Sequence, residues 1–162
     1  MKEVRARTKS ADDTRALAAE LVPLVRPGDI IVLSGDLGAG KTVFVQGFGR
    51  ALGVFEPITS PTFVLVRRYI GELPLVHVDV YRLDRLQELE DLGLAEVLDE
   101  RGVTLIEWGD AVARALPSDL LEVRFEFGDD PDERLVGFRC IGPTWPNRMV
   151  GVRLALERWL VD

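Results

Sequence analysis

The chain is short of cysteine. Cys140 is the only one in 162 residues, so no intrachain disulfide can form and nothing argues for an oxidising compartment. Long apolar runs are also missing: none approaches the roughly 20 residues needed to span a bilayer. The first ten residues alternate charged with apolar side chains and hold no hydrophobic signal core. The cytoplasm is the expected location, with no membrane partner. Basic charge is scarce as well, 20 Lys and Arg against 27 Asp and Glu, for a formal net charge of −7. A protein that neutralises a run of phosphates normally carries a basic surplus. That argues against DNA as a partner and against tight, autonomous tRNA binding, while leaving room for a local basic patch. Histidine occurs once, at His77.

The length suits one domain able to bury a proper core, and no internal repeat divides it. Residues 4–8 read as a short strand. Ser10 reads as an N-cap, with Asp12 and Asp13 suited to the positive end of a helix. Ala16, Leu17, Leu21, Leu24 and Val25 give that helix one apolar face until Pro27 and Gly28 end it. The run 29–34 is continuous and β-branched, as in a strand buried on both faces. Residues 42–52 read as a helix, 63–70 and 75–80 as strands around a turn at 71–74, and 103–107 as another buried strand. The acidic stretch 83–98 reads as two helical pieces broken near Gly93, and 111–116 as a short helix. Residues 121–127 and 134–141 alternate apolar with polar side chains, as an antiparallel hairpin does. Pro143 and Pro146 read as a linker to an amphipathic segment, 150–161. The expected architecture is α/β, a three-layer, P-loop NTPase-like mixed sheet flanked by helices, with a domain at 1–142 and a helical tail at 143–162.

Between the buried strand and the helix, residues 35–42 match G-x-x-x-x-G-K-[ST] at every fixed position. Glycines let the backbone turn its N–H groups inward around a phosphate, and the helix N-terminus adds unpaired donors and a favourable dipole. Asp36, Leu37, Gly38, Ala39 and Gly40 supply the loop. Lys41 places a point charge on the β and γ phosphates, and Thr42 offers a hydroxyl to Mg²⁺. The bland alternative is a chance glycine turn, which the strand before and the helix after make the weaker reading. ATP with Mg²⁺ is the expected ligand.

A carboxylate on a neighbouring strand end usually completes such a magnesium shell. Asp79 and Glu107 both follow apolar runs and should emerge at the carboxyl edge of the sheet; an acidic helix cap or a surface charge is the alternative for each. Ser60 and Thr62 lie where a γ-phosphate switch commonly sits, or form a proline-bearing turn with a capping hydroxyl. Trp108 would stack on a nucleobase or a partner, or pack in the core. His77, within a strand, reads as a packed or hydrogen-bonded residue rather than a general base. Cys140 reads as a small buried hydrophobe.

Four segments occur together in order: Gly-Asp-Leu-Gly-Ala-Gly-Lys-Thr at 35–42, Ser-Pro-Thr-Phe at 60–63, His-x-Asp-x-Tyr-Arg-Leu at 77–83 and Ile-Glu-Trp at 106–108. In this the chain resembles the TsaE (YjeE) ATPases, from about residue 10 to 134. The resemblance implies a small P-loop ATPase of tRNA modification, acting with TsaB and TsaD in making threonylcarbamoyladenosine beside the anticodon of tRNAs reading A-starting codons. Hydrolysis would reset the TsaB–TsaD assembly, and tRNA would be met only through it. By the same resemblance Lys41 and the backbone of Gly38 to Gly40 would hold the phosphates, and Thr42 and Glu107 the Mg²⁺. Asp79 would order the metal's water shell or the attacking water, and Thr62 would belong to the switch. Thr14 matches a threonine near the nucleotide and Arg134 a late basic contact. Two departures stand out: Gly109 where many members have proline, and the tail 143–162. The competing readings are a small-molecule P-loop kinase, for which the acidic stretch with only Arg82, Arg85 and Arg101 is a poor phosphate lid, and a nucleotide-gated adaptor with negligible hydrolysis of its own.

Overall fold

Ser10 starts the first helix as its sequence suggests. Its hydroxyl accepts the Asp13 N–H at 3.0 Å, while the Asp13 carboxylate accepts the Lys9 N–H at 3.0 Å, so the first turn is capped from both directions. The computed structural model describes residues 3–59, 65–80, 87, 90–91, 93–107 and 116–162. The helix, α1, spans Ala11–Ala19 and follows strand β1, Val4–Thr8. It ends well before Pro27, contrary to the sequence expectation: Leu21 and Leu24 continue the apolar spacing through a separate 3-10 turn, Val22–Leu24. Pro23 explains the stop, because it has no N–H to give the helix and its ring collides with the carbonyl four residues back.

The remaining elements are β2 (Ile30–Gly35), α2 (Lys41–Ala51), β3 (Val66–Ile70), β4 (Pro74–Asp79), α3 (Leu94–Val97), β5 (Val103–Glu107), β6 (Leu120–Phe127), β7 (Arg134–Ile141) and α4 (Met149–Ala155). Among the described residues the strands form one seven-stranded sheet, in the order β1-β7-β6-β2-β5-β4-β3. β6, β2, β5 and β4 run parallel, whereas β3, β7 and β1 each pair antiparallel with a neighbour. The parallel centre explains the unbroken apolar runs of β2, β4 and β5, which are covered on both faces. One face, with Ile31, Leu33, Leu75 and Leu105, packs against α1 and α2. The other, with Ile30, Val32, Val78 and Ile106, packs a smaller cluster around Val97 and Leu116. Beyond β6 the second face opens: Arg124, Glu126, Arg139 and Arg5 are exposed there, hence the alternation in the hairpin.

Residues 143–162 close the first face. Pro146 sits inside a 3-10 turn, Trp145–Arg148, rather than in a linker, a position where its missing N–H costs nothing. Trp145, Met149, Val152, Leu156 and Trp159 enter the same core as Val4, Ala6 and Phe138. Three polar anchors hold the segment. Arg148 makes a bidentate pair with Asp29, at 2.5 and 3.0 Å. Asp119 accepts the Thr144 and Trp145 N–H groups at 3.0 and 3.1 Å, and Trp159 Nε1 donates to Asp13 at 2.7 Å. Leu160 bridges to Ala6 and the Val161 N–H donates to the Arg5 carbonyl, which covers the β1 edge that would otherwise invite strand pairing.

Candidate functional site: a phosphate-binding loop beside two strand-end carboxylates

β2 runs through Gly35 before the chain turns, one residue further than the sequence suggested. The position demands glycine: φ is +143°, and a Cβ there would lie 2.7 Å from the Phe125 carbonyl of the adjacent strand. Gly40, at φ +115°, forms the N-cap of α2 with a left-handed backbone, which a side chain would resist. The loop's backbone therefore leads directly into the helix N-terminus. Lys41 is buried at the first position of α2, and its ammonium donates to the Gly35 and Asp36 carbonyls at 2.6 and 3.0 Å. Asp36 also accepts the Ala39 N–H at 3.0 Å. Ala39 is buried, Gly38 is exposed, and Leu37 stands 82% exposed at the rim.

Strand register assembles the carboxylates. Leu33 of β2 aligns with Glu107 of β5, and Glu107 aligns with Asp79 of β4, so both acids sit on neighbouring strand ends beside the loop. Both are buried. The Thr42 hydroxyl, on the first turn of α2, donates to the two Glu107 oxygens at 3.0 and 3.1 Å. His77 Nε2 bonds the same carboxylate at Oε2. Sequence reasoning read His77 as packed or hydrogen-bonded but missed its partner. The available signal was spacing: two residues before Asp79 in a strand means the same face.

The remaining candidates fall in different places. Arg134, at the start of β7, donates to the Ala39 and Gly38 carbonyls at 3.1 and 3.3 Å, and to the Pro131 and Glu133 carbonyls at 2.7 and 2.8 Å. Its guanidinium lies 4.8 Å from the centre of the Phe127 ring. It thus ties the β6–β7 turn to the loop backbone. Thr14 is buried, and its hydroxyl shares a 2.7 Å hydrogen bond with Thr8, the register partner of Arg134. Thr62, Trp108, Ser60 and Gly109 lie outside the described residues, as do the 111–115 part of the expected short helix and Arg82 and Arg85. Cys140 is half-buried, beside the Met149 sulfur at 4.0 Å, and burial pushes its thiol up to about 11.

Among the described residues no group of three or more His, Cys, Asp or Glu side chains is arranged to hold a metal alone. A hydroxyl and a carboxylate 3.0 Å apart at a loop built for phosphate instead fit a hard cation that takes oxygen ligands and shares them with phosphate and water. Thr42 and Glu107 could supply oxygen to such a cation, with the Asp79 carboxylate on the neighbouring strand end.

Sheet order, glycine loop and helix together define a P-loop fold, a mixed sheet with the loop at the carboxyl edge of its parallel centre. Comparison with known proteins agrees. The family model described as "Threonylcarbamoyl adenosine biosynthesis protein TsaE" matches residues 8–136. The Bacillus subtilis tRNA threonylcarbamoyladenosine biosynthesis protein TsaE is 41% identical over 143 residues, 88% of this chain and 89% of that one. Its Treponema pallidum counterpart is 46% identical over 114 residues, 70% and 84% of the two chains. The crystal structure of Bacillus subtilis YdiB superimposes with a TM-score of 0.79 at 35% identity, covering 97% of this chain and 95% of the other. The chain belongs to the TsaE family.

Proposed function

We propose that this protein is a magnesium-dependent ATPase of tRNA threonylcarbamoyladenosine biosynthesis, which acts with TsaB and TsaD and resets their complex after each transfer. The observation that carries the reading is the convergence of Thr42 and Glu107 at the mouth of the glycine loop. The backbone N–H groups around Gly38 to Thr42 cradle the phosphates at the positive end of α2. Lys41 leaves its resting contacts with the Gly35 and Asp36 carbonyls and neutralises charge on the β and γ phosphates. Thr42 and Glu107 would hold the metal, and Asp79 would orient a water. Magnesium, when bound, would supply positive charge to stabilise the phosphates as one is transferred to water. Thr62 serves as the switch and Trp108 as a nucleobase or partner contact.

The net charge of −7 makes direct tRNA backbone binding unfavourable, so tRNA is reached through the partners, in the cytoplasm. No helix among the described residues is long and apolar enough to cross a membrane. The test is steady-state ATP hydrolysis by the purified chain with magnesium, alone and with TsaB and TsaD added. Turnover that rises with both partners supports the reading. Turnover absent in both conditions rejects the ATPase, and a rate indifferent to the partners rejects their part in completing the site.

A further inference from the structure

In β4, Val76 and Val78 face the smaller apolar cluster, as does Val80 just beyond it, so the strand's two-residue period turns His77 and Asp79 toward the other face, the one that carries α2. His77 is fully buried, 0% exposed. Its one hydrogen-bond partner among the described residues is Glu107 Oε2, and Nδ1 has none. This fixes the tautomer. A proton on Nδ1 would leave a buried N–H orphaned and turn a bare lone pair on the carboxylate, whereas a proton on Nε2 serves the carboxylate and leaves only a lone pair unpaired. His77 therefore donates to Glu107.

The geometry gives that bond a purpose beyond satisfying a buried acid. The terminal torsion of a glutamate is broad and roughly two-fold, so Glu107 on its own would sample many orientations of its oxygens. His77 holds Oε2, and the Thr42 hydroxyl faces the carboxylate at 3.0 Å from Oε1 and 3.1 Å from Oε2. We infer that His77 is a positioning residue for the metal: it locks the Glu107 carboxylate so that one oxygen edge stays turned to the Thr42 hydroxyl, where the cation binds. Donors placed behind metal-binding groups typically set affinity by 10–100-fold. The inference rests on the reading of this site as one for a magnesium nucleotide.

The test measures Mn²⁺ binding to the ADP complex by the loss of the free-ion electron paramagnetic resonance signal. A fluorescent ADP is titrated in parallel with the metal chelated. His77→Leu removes the donor; His77→Gln restores an N–H at the Nε2 position; His77→Asn places its amide near Nδ1, short of Glu107. The expected result is about 10–100-fold weaker Mn²⁺ binding for the leucine and asparagine variants, recovery in the glutamine variant, and unchanged metal-free ADP affinity in all three. Should the leucine variant fail to fold, the contrast between asparagine and glutamine carries the test. Equal Mn²⁺ affinity across the variants, or metal-free ADP affinity that falls in parallel, overturns the inference while leaving the ATPase reading intact. Failure of the wild type to take up Mn²⁺ with ADP overturns both.

Discussion

Replacing Arg148 with alanine should unfold this protein at far lower temperature, although the residue lies distant in sequence from every motif. Arg148 and Asp29 are both 8% exposed, and the guanidinium meets the carboxylate through two hydrogen bonds, at 2.5 and 3.0 Å. It also lies 4.1 Å from the Trp145 ring centre and donates to the Leu24 carbonyl at 3.3 Å. Removing it leaves Asp29 as an uncompensated buried charge, with the Arg26 N–H at 2.7 Å as its remaining donor among the described residues. Breaking a buried pair in this way costs about 3–5 kcal/mol. For a chain of this size each kcal/mol lowers Tm by roughly 2–4 °C, so a loss of about 4 kcal/mol corresponds to roughly 8–16 °C. Urea unfolding followed by tryptophan fluorescence, with a thermal scan, reads both quantities. The double variant Asp29→Asn/Arg148→Met removes both charges and keeps an acceptor for the Arg26 N–H, so it should be markedly more stable than Arg148→Met alone. A single variant that loses less than about 1 kcal/mol, or a double variant whose loss equals the sum of the singles, would refute the argument.

Lys41→Ala should abolish ATP binding, seen by calorimetric titration, at a cost of only about 1 kcal/mol in stability, because its ammonium donates to two carbonyls of the loop itself. Asp119 should make the fold acid-sensitive. Burial works against its charge, but hydrogen bonds from the Thr144 hydroxyl and from the Thr144 and Trp145 N–H groups, with Arg148 nearby, outweigh it and hold the carboxyl below its usual 3.8. A depressed folded-state value stabilises above the unfolded value and is lost as pH falls through the folded one, so the stability gap between wild type and Asp119→Asn should close below about pH 4. Cys140 should resist alkylation at pH 8 in the folded protein and react quickly in urea, because its thiol is held near 11; mass spectrometry of labelled protein checks this.

Burial on two faces makes a strand easy to read, which is why β2, β4 and β5 stood out as apolar runs and why Asp79 and Glu107 could be placed at their ends. The β6–β7 hairpin was legible for the opposite reason: Arg124, Glu126 and Arg139 face solvent and impose alternation. The limit of α1 was misjudged because apolar spacing of three or four residues does not separate a helix from a helix followed by a 3-10 turn; Pro23 held the answer. The final segment looked like a linker and an appended helix because proline pairs usually punctuate. Its fixing contacts, Arg148 to Asp29 and Trp159 to Asp13, join residues 119 and 146 positions apart, a separation that no local pattern encodes. Arg134 was legible as a basic residue near the site, but its bonds to loop carbonyls depend on the turn that positions it. His77 shows the same limit at the site itself, since its partner lies 30 residues away on the next strand.

The central claim is that Thr42 and Glu107 make this loop a magnesium–nucleotide site, and calorimetric titration of a non-hydrolysable ATP analogue, with Mg²⁺ and with chelator, tests it most directly. Wild type should bind about tenfold or more tightly with Mg²⁺, a difference of about 1.4 kcal/mol or greater. Asp79→Ala should keep that dependence while losing turnover, and Glu107→Ala should bind the analogue with little response to the metal. Wild-type affinity that is indifferent to Mg²⁺, or a Glu107→Ala variant that retains the full metal dependence, would contradict the account.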